Sequence, residues 1–240
     1  MRPHSRTISR SRGDAALTRG IMAASAGRVG GARAESRRVE RTLGEEQLAA
    51  TWLEQFERWH AEFAAAGAHE STAMVLATTS AAGQPSARTV LLKGVDESGF
   101  EFFTNLDSRK GSELAENPRA SLLFPWYELE RQVIAVGAVE AVDAARADAY
   151  FASRPYGSRI GAHASRQSSV IADRSELERA QAQAEARWPP PGPVPRPERW
   201  SGFRVVPETV EFWQGRPNRL HDRLRFRREG GAWTIERLSP

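Results

Sequence analysis

From Ala73 onward the chain strings together short runs of β-forming residues, and helical stretches interrupt them at irregular intervals. That rhythm restricts the possible fold more than any other feature. Strand-like segments fall at Ala73–Thr78, Thr89–Leu92, Phe102–Thr104, 120–125, 132–142, 202–206, 209–213, 220–227 and 232–237. Gly83-Gln84-Pro85 and Glu97-Ser98-Gly99 supply turns. A parallel α/β sheet needs a crossover helix after each strand, and that regular alternation is missing. The pattern therefore predicts a mainly β chain, a barrel with appended helices.

The helices have local causes. Leu48, Trp52, Phe56, Trp59 and Phe63 recur at helical spacing and form one apolar stripe, ended by Gly67. Asp107 or Ser108 is placed to cap a short helix that runs through Leu114 and stops before Pro118. Asp143–Ser153 reads as a helix ending at Pro155, and 175–187 as another. Trp188-Pro189-Pro190-Pro191 through Pro197 reads as a stiff connector.

Charge divides the chain of 240 residues in two. Residues 1–41 hold ten arginines against Asp14, Glu35 and Glu40, a net of +7, which leaves about −3 on the remainder. A basic leader on a mildly acidic body does not describe a folded nucleic-acid binder. The leader, rich in Arg, Ser, Ala and Gly, is expected to be disordered, and Met22 is an alternative initiator. Residues 42–240 are expected to form one domain, with order beginning near Leu43. No apolar run is long enough to span a bilayer as a helix and no secretory signal is present, so no membrane partner and a cytoplasmic location are expected.

Several chemistries are excluded by residue type. Without cysteine there is no disulfide, thiolate nucleophile or cysteine-held metal, and His4, His60, His69, His163 and His221 form no short-spaced zinc pair. No glycine-rich dinucleotide loop, P-loop or Gly-x-Ser-x-Gly elbow occurs.

What remains points to anions. Against 32 arginines the chain keeps two lysines, Lys93 and Lys110. Arg88 and Lys93 flank the strand Thr89–Leu92, while Arg109 and Lys110 open a helix, where free N–H groups also favour an anion. This suits a phosphate; a solvated cluster is the alternative. Tyr150 and Arg154 are four apart, with Ser158 just beyond, and two hydroxyls with a guanidinium suit a second phosphate. Gln132 can pair with a heterocycle edge or simply sit at a strand edge. If extended, Arg219-Leu220-His221-Asp222-Arg223 puts Arg219, His221 and Arg223 on one face, where they repel unless an anion is bound.

Those segments resemble the pyridoxine/pyridoxamine 5'-phosphate oxidase family, in order, over about four-fifths of the chain. The matching runs include Ala73–Thr78, Arg88-Thr89-Val90-Leu91-Leu92-Lys93, Phe103-Thr104-Asn105-Leu106-Asp107-Ser108-Arg109-Lys110, Ser121–Trp126 and Glu130–Val133. They continue through Ser153–Pro155, Gln167-Ser168-Ser169, Glu211-Phe212-Trp213-Gln214-Gly215 and, most specific, Arg219-Leu220-His221-Asp222-Arg223. The resemblance implies an FMN-binding split barrel, a six-stranded Greek-key barrel, working as a homodimer with FMN at the interface. It matches Arg88, Val90, Leu91, Lys93, Phe103, Thr104, Arg109, Lys110, Gln132, Gln167, Ser168, Trp213 and Arg223 to FMN contacts. Lys93, Tyr150, Arg154 and Ser158 match contacts to the substrate phosphate, and Arg219 and His221 match residues over the reacting carbon, with His221 a candidate proton acceptor.

The implied reaction is oxidation of pyridoxamine or pyridoxine 5'-phosphate by O2 to pyridoxal 5'-phosphate. Two other readings stand beside it: a split-barrel oxidase acting on another aromatic such as a phenazine precursor, and a non-catalytic flavin- or B6-phosphate-binding protein. Two departures concern the entrance. Arg37-Arg38-Val39-Glu40 lacks the tyrosine of the family's Arg-Arg-x-Tyr stretch, and Glu70-Ser71-Thr72 replaces Glu-Pro-Asn.

Overall fold

A computed structural model describes Arg6–Ile8 and residues 42–240. Its elements, in chain order, are β1 (Arg6–Ile8), α1 (Trp52–Ala65), β2 (Ala73–Thr79), β3 (Pro85–Leu91), β4 (Gly94–Asp96), β5 (Gly99–Asn105), α2 (Arg109–Glu116) and β6 (Arg119–Trp126). There follow β7 (Arg131–Ala141), α3 (Ala144–Ser153), α4 (Tyr156–Ala164), α5 (Arg174–Arg187), β8 (Trp200–Gln214), β9 (Asp222–Glu229) and β10 (Ala232–Arg237). The expected disorder of the leader and the Arg37–Glu40 departure lie outside the described residues. Arg6–Ile8 alone is described there, paired antiparallel with β10.

The chain divides into two compact units: Met1–Ser71, Leu123–Ala135 and Glu208–Pro240 form one, and Thr72–Leu122 with Val136–Pro207 the other. In the first, β1, β10, β9 and the part of β8 from Glu208 onward are successive neighbours in the sheet. Its core is aromatic because α1 places Trp52, Phe56, Trp59 and Phe63 on one buried face. Phe56 meets Phe124 at 4.9 Å and Trp59 meets Phe212 edge-on at 5.4 Å. Thr51 caps α1 by accepting from the Glu54 amide while Glu54 returns a bond to the Thr51 amide. Leu48, expected on the stripe, therefore lies ahead of the helix.

In the second unit, β2 and β3 form an antiparallel hairpin with Leu76 opposite Arg88. β4 and β5 form another, and β5 pairs with the start of β8, Phe102 opposite Phe203. Met74, Leu76, Leu92, Phe100, Phe102 and Leu122 are fully buried there. Phe151, Ile160, Ala184, Val194 and Trp200 make a second cluster beneath α3, α4 and α5.

Four elements differ from expectation, the first being β4, a short strand paired with β5 where none was expected. β8 is one strand where two were predicted. It pairs with β5 up to Val205 and with β9 from Thr209, so Pro207, which lacks an N–H, sits where the partner changes. Pro155 ends α3 as expected but also opens α4, because proline is tolerated where a helix starts. Finally, the stretch from 220 is not a strand until Asp222. Pro217–Arg219 form a tight turn in which Asn218 and Arg219 take left-handed φ of 58° and 64°. Arg219, His221 and Arg223 therefore do not share the face of an extended strand.

Candidate functional site

The first cluster gathers in the second unit around the start of α2. Ser108 caps that helix by accepting from the Gly111 amide, and its hydroxyl donates to the Asn105 carbonyl at 2.6 Å. Lys110 is 7% exposed, and its ammonium donates to Thr104 Oγ1 at 3.2 Å, Ser108 Oγ at 3.1 Å and Gln167 Oε1 at 2.9 Å. All three acceptors are neutral. Burial, then the Arg88 guanidinium, depress the Lys110 ammonium to about 8 while Glu113 opposes them. Such a cation, desolvated and without a carboxylate in contact, is stabilised by an anion.

Arg88 and Arg109 converge on Glu113, which no sequence argument singled out. Arg88 donates to the Leu76 carbonyl at 3.2 Å, to Thr78 Oγ1 at 2.5 Å, to Ser86 Oγ, and to Glu113 Oε2 at 3.2 Å. Arg109 Nε reaches Glu113 Oε1 at 2.8 Å. Burial raises the Glu113 carboxyl, but bonds from Ser86, Thr78, Arg109 and Arg88 outweigh it and hold it down to about 2. The usable signal was the i,i+4 spacing of Arg109 and Glu113 on α2. Across some sixty residues of sequence, Ser168 Oγ accepts from the Arg109 amide at 3.2 Å, and Thr104 donates to Gln167 at 3.1 Å. Val90 and Leu91 lie half-buried on β3 opposite Met74 and Ala73, and Lys93 follows with its amide bonded to the Glu101 carbonyl.

A second cationic place lies at the C-terminal end of α3 in the same unit. Phe103 stacks on Tyr150 at 4.2 Å and on Trp200 at 5.4 Å. The Arg154 guanidinium stands 4.9 Å from the Trp200 ring, and its Nη1 is buried without a hydrogen-bond partner. Burial lowers the Arg154 pKa against the pull of Tyr150, and burial raises the Tyr150 hydroxyl against Arg154 and Arg146. A buried N–H with nothing to bond is costly, and an anionic oxygen removes that cost. Arg154 is the extended residue after α3 rather than part of its helical face, and Ser158 lies exposed on α4.

The first unit holds the remaining candidates. Trp213 packs on the His221 ring at 4.6 Å, and the Arg216 amide donates to His221 Nδ1 at 3.1 Å. A backbone N–H can only donate, so Nδ1 is the acceptor and the neutral ring carries its proton on Nε2. Arg223 forms a two-point bond to Glu211, at 2.7 and 3.1 Å, which raises its pKa and supplies the anion expected from a ligand. Asp222 accepts from the Leu43 amide at 3.1 Å and from Arg237 at 3.0 Å, anchoring the run from the side. Arg219 is exposed, and Gln132 is half-buried on β7.

Comparison with known proteins gives this arrangement a context. A family model described as pyridoxamine 5'-phosphate oxidase matches residues 60–187, and one described as the pyridoxine 5'-phosphate oxidase C-terminal dimerisation region matches residues 200–240. A protein of Frankia alni named pyridoxine/pyridoxamine 5'-phosphate oxidase is 60% identical over 202 residues, 82% of this chain and 84% of that one. The chain belongs to the pyridoxamine 5'-phosphate oxidase family. A like-named protein of Bordetella pertussis is 56% identical over 199 residues, covering 82% of this chain and 93% of its own.

Among solved structures, PhzG from Burkholderia lata 383, in complex with tetrahydrophenazine-1-carboxylic acid, matches with a TM-score of 0.76 at 32% identity, covering 81% of this chain and 95% of that one. A pyridoxamine 5'-phosphate oxidase-related, FMN-binding protein of Nostoc punctiforme shares the fold at a TM-score of 0.64 and 16% identity, over 80% of this chain and 100% of that one. The fold is thus the mainly β split barrel of the oxidase family, as the strand rhythm and the ordered motifs implied. In this member of the oxidase family, the run that carries the most specific resemblance opens on Arg219, a non-glycine residue held in the left-handed region just after Asn218 in the same conformation.

Proposed function

We propose that residues 42–240 act as one catalytic domain that oxidises pyridoxamine 5'-phosphate and pyridoxine 5'-phosphate to pyridoxal 5'-phosphate, using FMN and dioxygen. The amine reaction consumes O2 and water and yields H2O2 and NH3; the alcohol reaction consumes O2 and yields H2O2. The chemistry that FMN supplies when bound is two-electron oxidation of the substrate carbon, with the electrons passed on to dioxygen. The observation that carries the reading is Lys110, a buried ammonium meeting only neutral oxygens beside the N-terminus of α2, with Arg88 and Arg109 close by. That donor set fits the phosphate of FMN.

Other residues of the chain bind and orient. Arg154, with its unpartnered Nη1 against Trp200, and Tyr150 hold the substrate phosphate, assisted by Lys93 and Ser158. A phosphate at this place favours a B6 phosphate over a phenazine precursor, which lacks one. Arg219 sets charge over the reacting carbon. His221 serves as a hydrogen-bond donor through Nε2, because its Nδ1 is engaged by the Arg216 amide. This narrows the role expected from sequence, where the ring was a candidate proton acceptor. The working unit is a homodimer with FMN at the interface.

The test is to purify the protein, record its visible spectrum, mix it anaerobically with pyridoxamine 5'-phosphate, and then admit air. Yellow protein that bleaches with substrate, recovers in oxygen and yields pyridoxal 5'-phosphate supports the reading. Yellow protein that stays oxidised removes the substrate assignment. Colourless protein that fails to take up added FMN removes the cofactor.

A further inference from the structure

We propose that Glu113 is a positioning residue for cofactor binding: its carboxylate holds Arg88 and Arg109 in the geometry that receives the FMN phosphate. The inference rests on the reading of this cluster as the FMN site and adds a residue that touches neither FMN nor substrate.

Glu113 lies on α2 with 4% of its surface exposed. Its Oε2 accepts from Thr78 Oγ1 at 2.5 Å, from Ser86 Oγ at 2.5 Å and from Arg88 Nη2 at 3.2 Å, and its Oε1 accepts from Arg109 Nε at 2.8 Å. Donors from β2, β3 and α2 thus meet on one carboxylate. Taking a carboxylate out of water is costly, and four donors offset that cost and keep it ionised.

Beside a site for a phosphate dianion, a buried negative charge is adverse by Coulomb's law. Its presence is explained by geometry. An arginine loses much rotamer freedom when it is held, and a site whose arginines are already held loses less on binding. Arg88 is held at four acceptors. Arg109, with 57% of its side chain exposed, has Glu113 as its ion-pair partner among the described residues. The carboxylate also partly offsets the mutual repulsion of Arg88 and Lys110, which keeps three cations together on a small surface.

The two views of Glu113 predict opposite signs. If it were only a charge near an anion site, Glu113→Gln would tighten FMN binding. If it positions the arginines, Glu113→Gln weakens FMN binding, by about tenfold or more for the lost charge-assisted contacts.

The measurement is titration of apoprotein with FMN and, separately, with riboflavin, following the quenching of flavin fluorescence. Positioning predicts weaker FMN binding and unchanged riboflavin binding, because riboflavin has no phosphate. Glu113→Asp, which keeps the charge but withdraws it from both arginines, shifts FMN in the same direction and covers the case in which Glu113→Gln does not fold. FMN binding that is unchanged or tighter in the folded variant overturns the proposal. Equal losses for FMN and riboflavin overturn it as well, since they mark general damage. Wild-type apoprotein that binds FMN no better than riboflavin removes the underlying assignment of the site, whatever the variants do.

Discussion

At the scale of single residues, the buried environment of Lys110 departs from that of an ordinary surface lysine. Its ammonium titrates at about 8, below its usual value of 10.5. Between those values the unfolded chain holds a proton that the folded apoprotein has released, so the apoprotein gains stability as pH rises through this window. A bound phosphate keeps the ammonium charged, so FMN binding takes up a proton above pH 8 and weakens as pH rises further. FMN dissociation constants measured from pH 7 to 10 check this, with Lys110→Met as the control that binds weakly and without that pH dependence. Flat affinity across the range in the wild type contradicts it.

His221 offers a second residue-level test. Glutamine can place an N–H donor near the Nε2 position, whereas asparagine mimics the Nδ1 side. If the ring serves as a donor, His221→Gln retains more turnover than His221→Asn, and both keep FMN. Equal and near-complete loss of kcat in both, with FMN retained, supports a proton-accepting ring instead.

At the scale of elements, α2 organises the cluster because its first turn carries Arg109 and Lys110 and its second carries Glu113. The entry to that helix is tight. A Cβ on Gly111 would lie 2.0 Å from the Leu106 carbonyl oxygen, and that neighbour is backbone, which cannot step aside. Gly111→Ala is therefore expected to shift the helix start, lowering the melting temperature of the apoprotein and weakening FMN binding together. Ser108→Ala removes the cap and one of the three acceptors around Lys110, and loss of such a cap costs about 1 kcal/mol of stability. Chemical denaturation of the apoprotein checks the stability loss, and an unchanged midpoint would mean that another group caps the helix.

The turn at Pro217–Arg219 carries strain of a different kind. Asparagine tolerates the left-handed region, whereas a β-branched residue does not. Asn218→Val should lower kcat by displacing Arg219, while Asn218→Gly leaves the turn in place. The comparison is made by steady-state rates at saturating FMN, and equal rates for the two variants would separate the turn from Arg219.

At the scale of the whole molecule, residues 200–240, which hold β8, β9 and β10, match a family model described as a dimerisation region, and this supports a homodimer. Sedimentation is expected to give a particle of twice the 26.6 kDa chain mass. A single-chain mass at working concentration, with full activity, would remove the placement of FMN at an interface. No helix among the described residues is long and apolar enough to cross a membrane.

What the sequence by itself determined was the class of fold and the family. Strand rhythm is a local property, set by alternation and turn residues, and Trp52, Phe56, Trp59 and Phe63 declare a buried helix face by spacing alone. The ordered motifs then named most of the candidate residues. Only the tertiary structure decided what those residues have as partners. Glu113 joins Arg88 from β3 to Arg109 on its own helix, Gln167 reaches Lys110 across 57 positions, and Glu211 answers Arg223 across a strand pair. The tautomer of His221 depends on an amide five residues away in a turn that Pro217 and two left-handed residues create. Such partnerships depend on how separate segments are packed, and burial then makes their charges matter, because a desolvated ammonium or carboxylate is stabilised or penalised by every neighbour within reach.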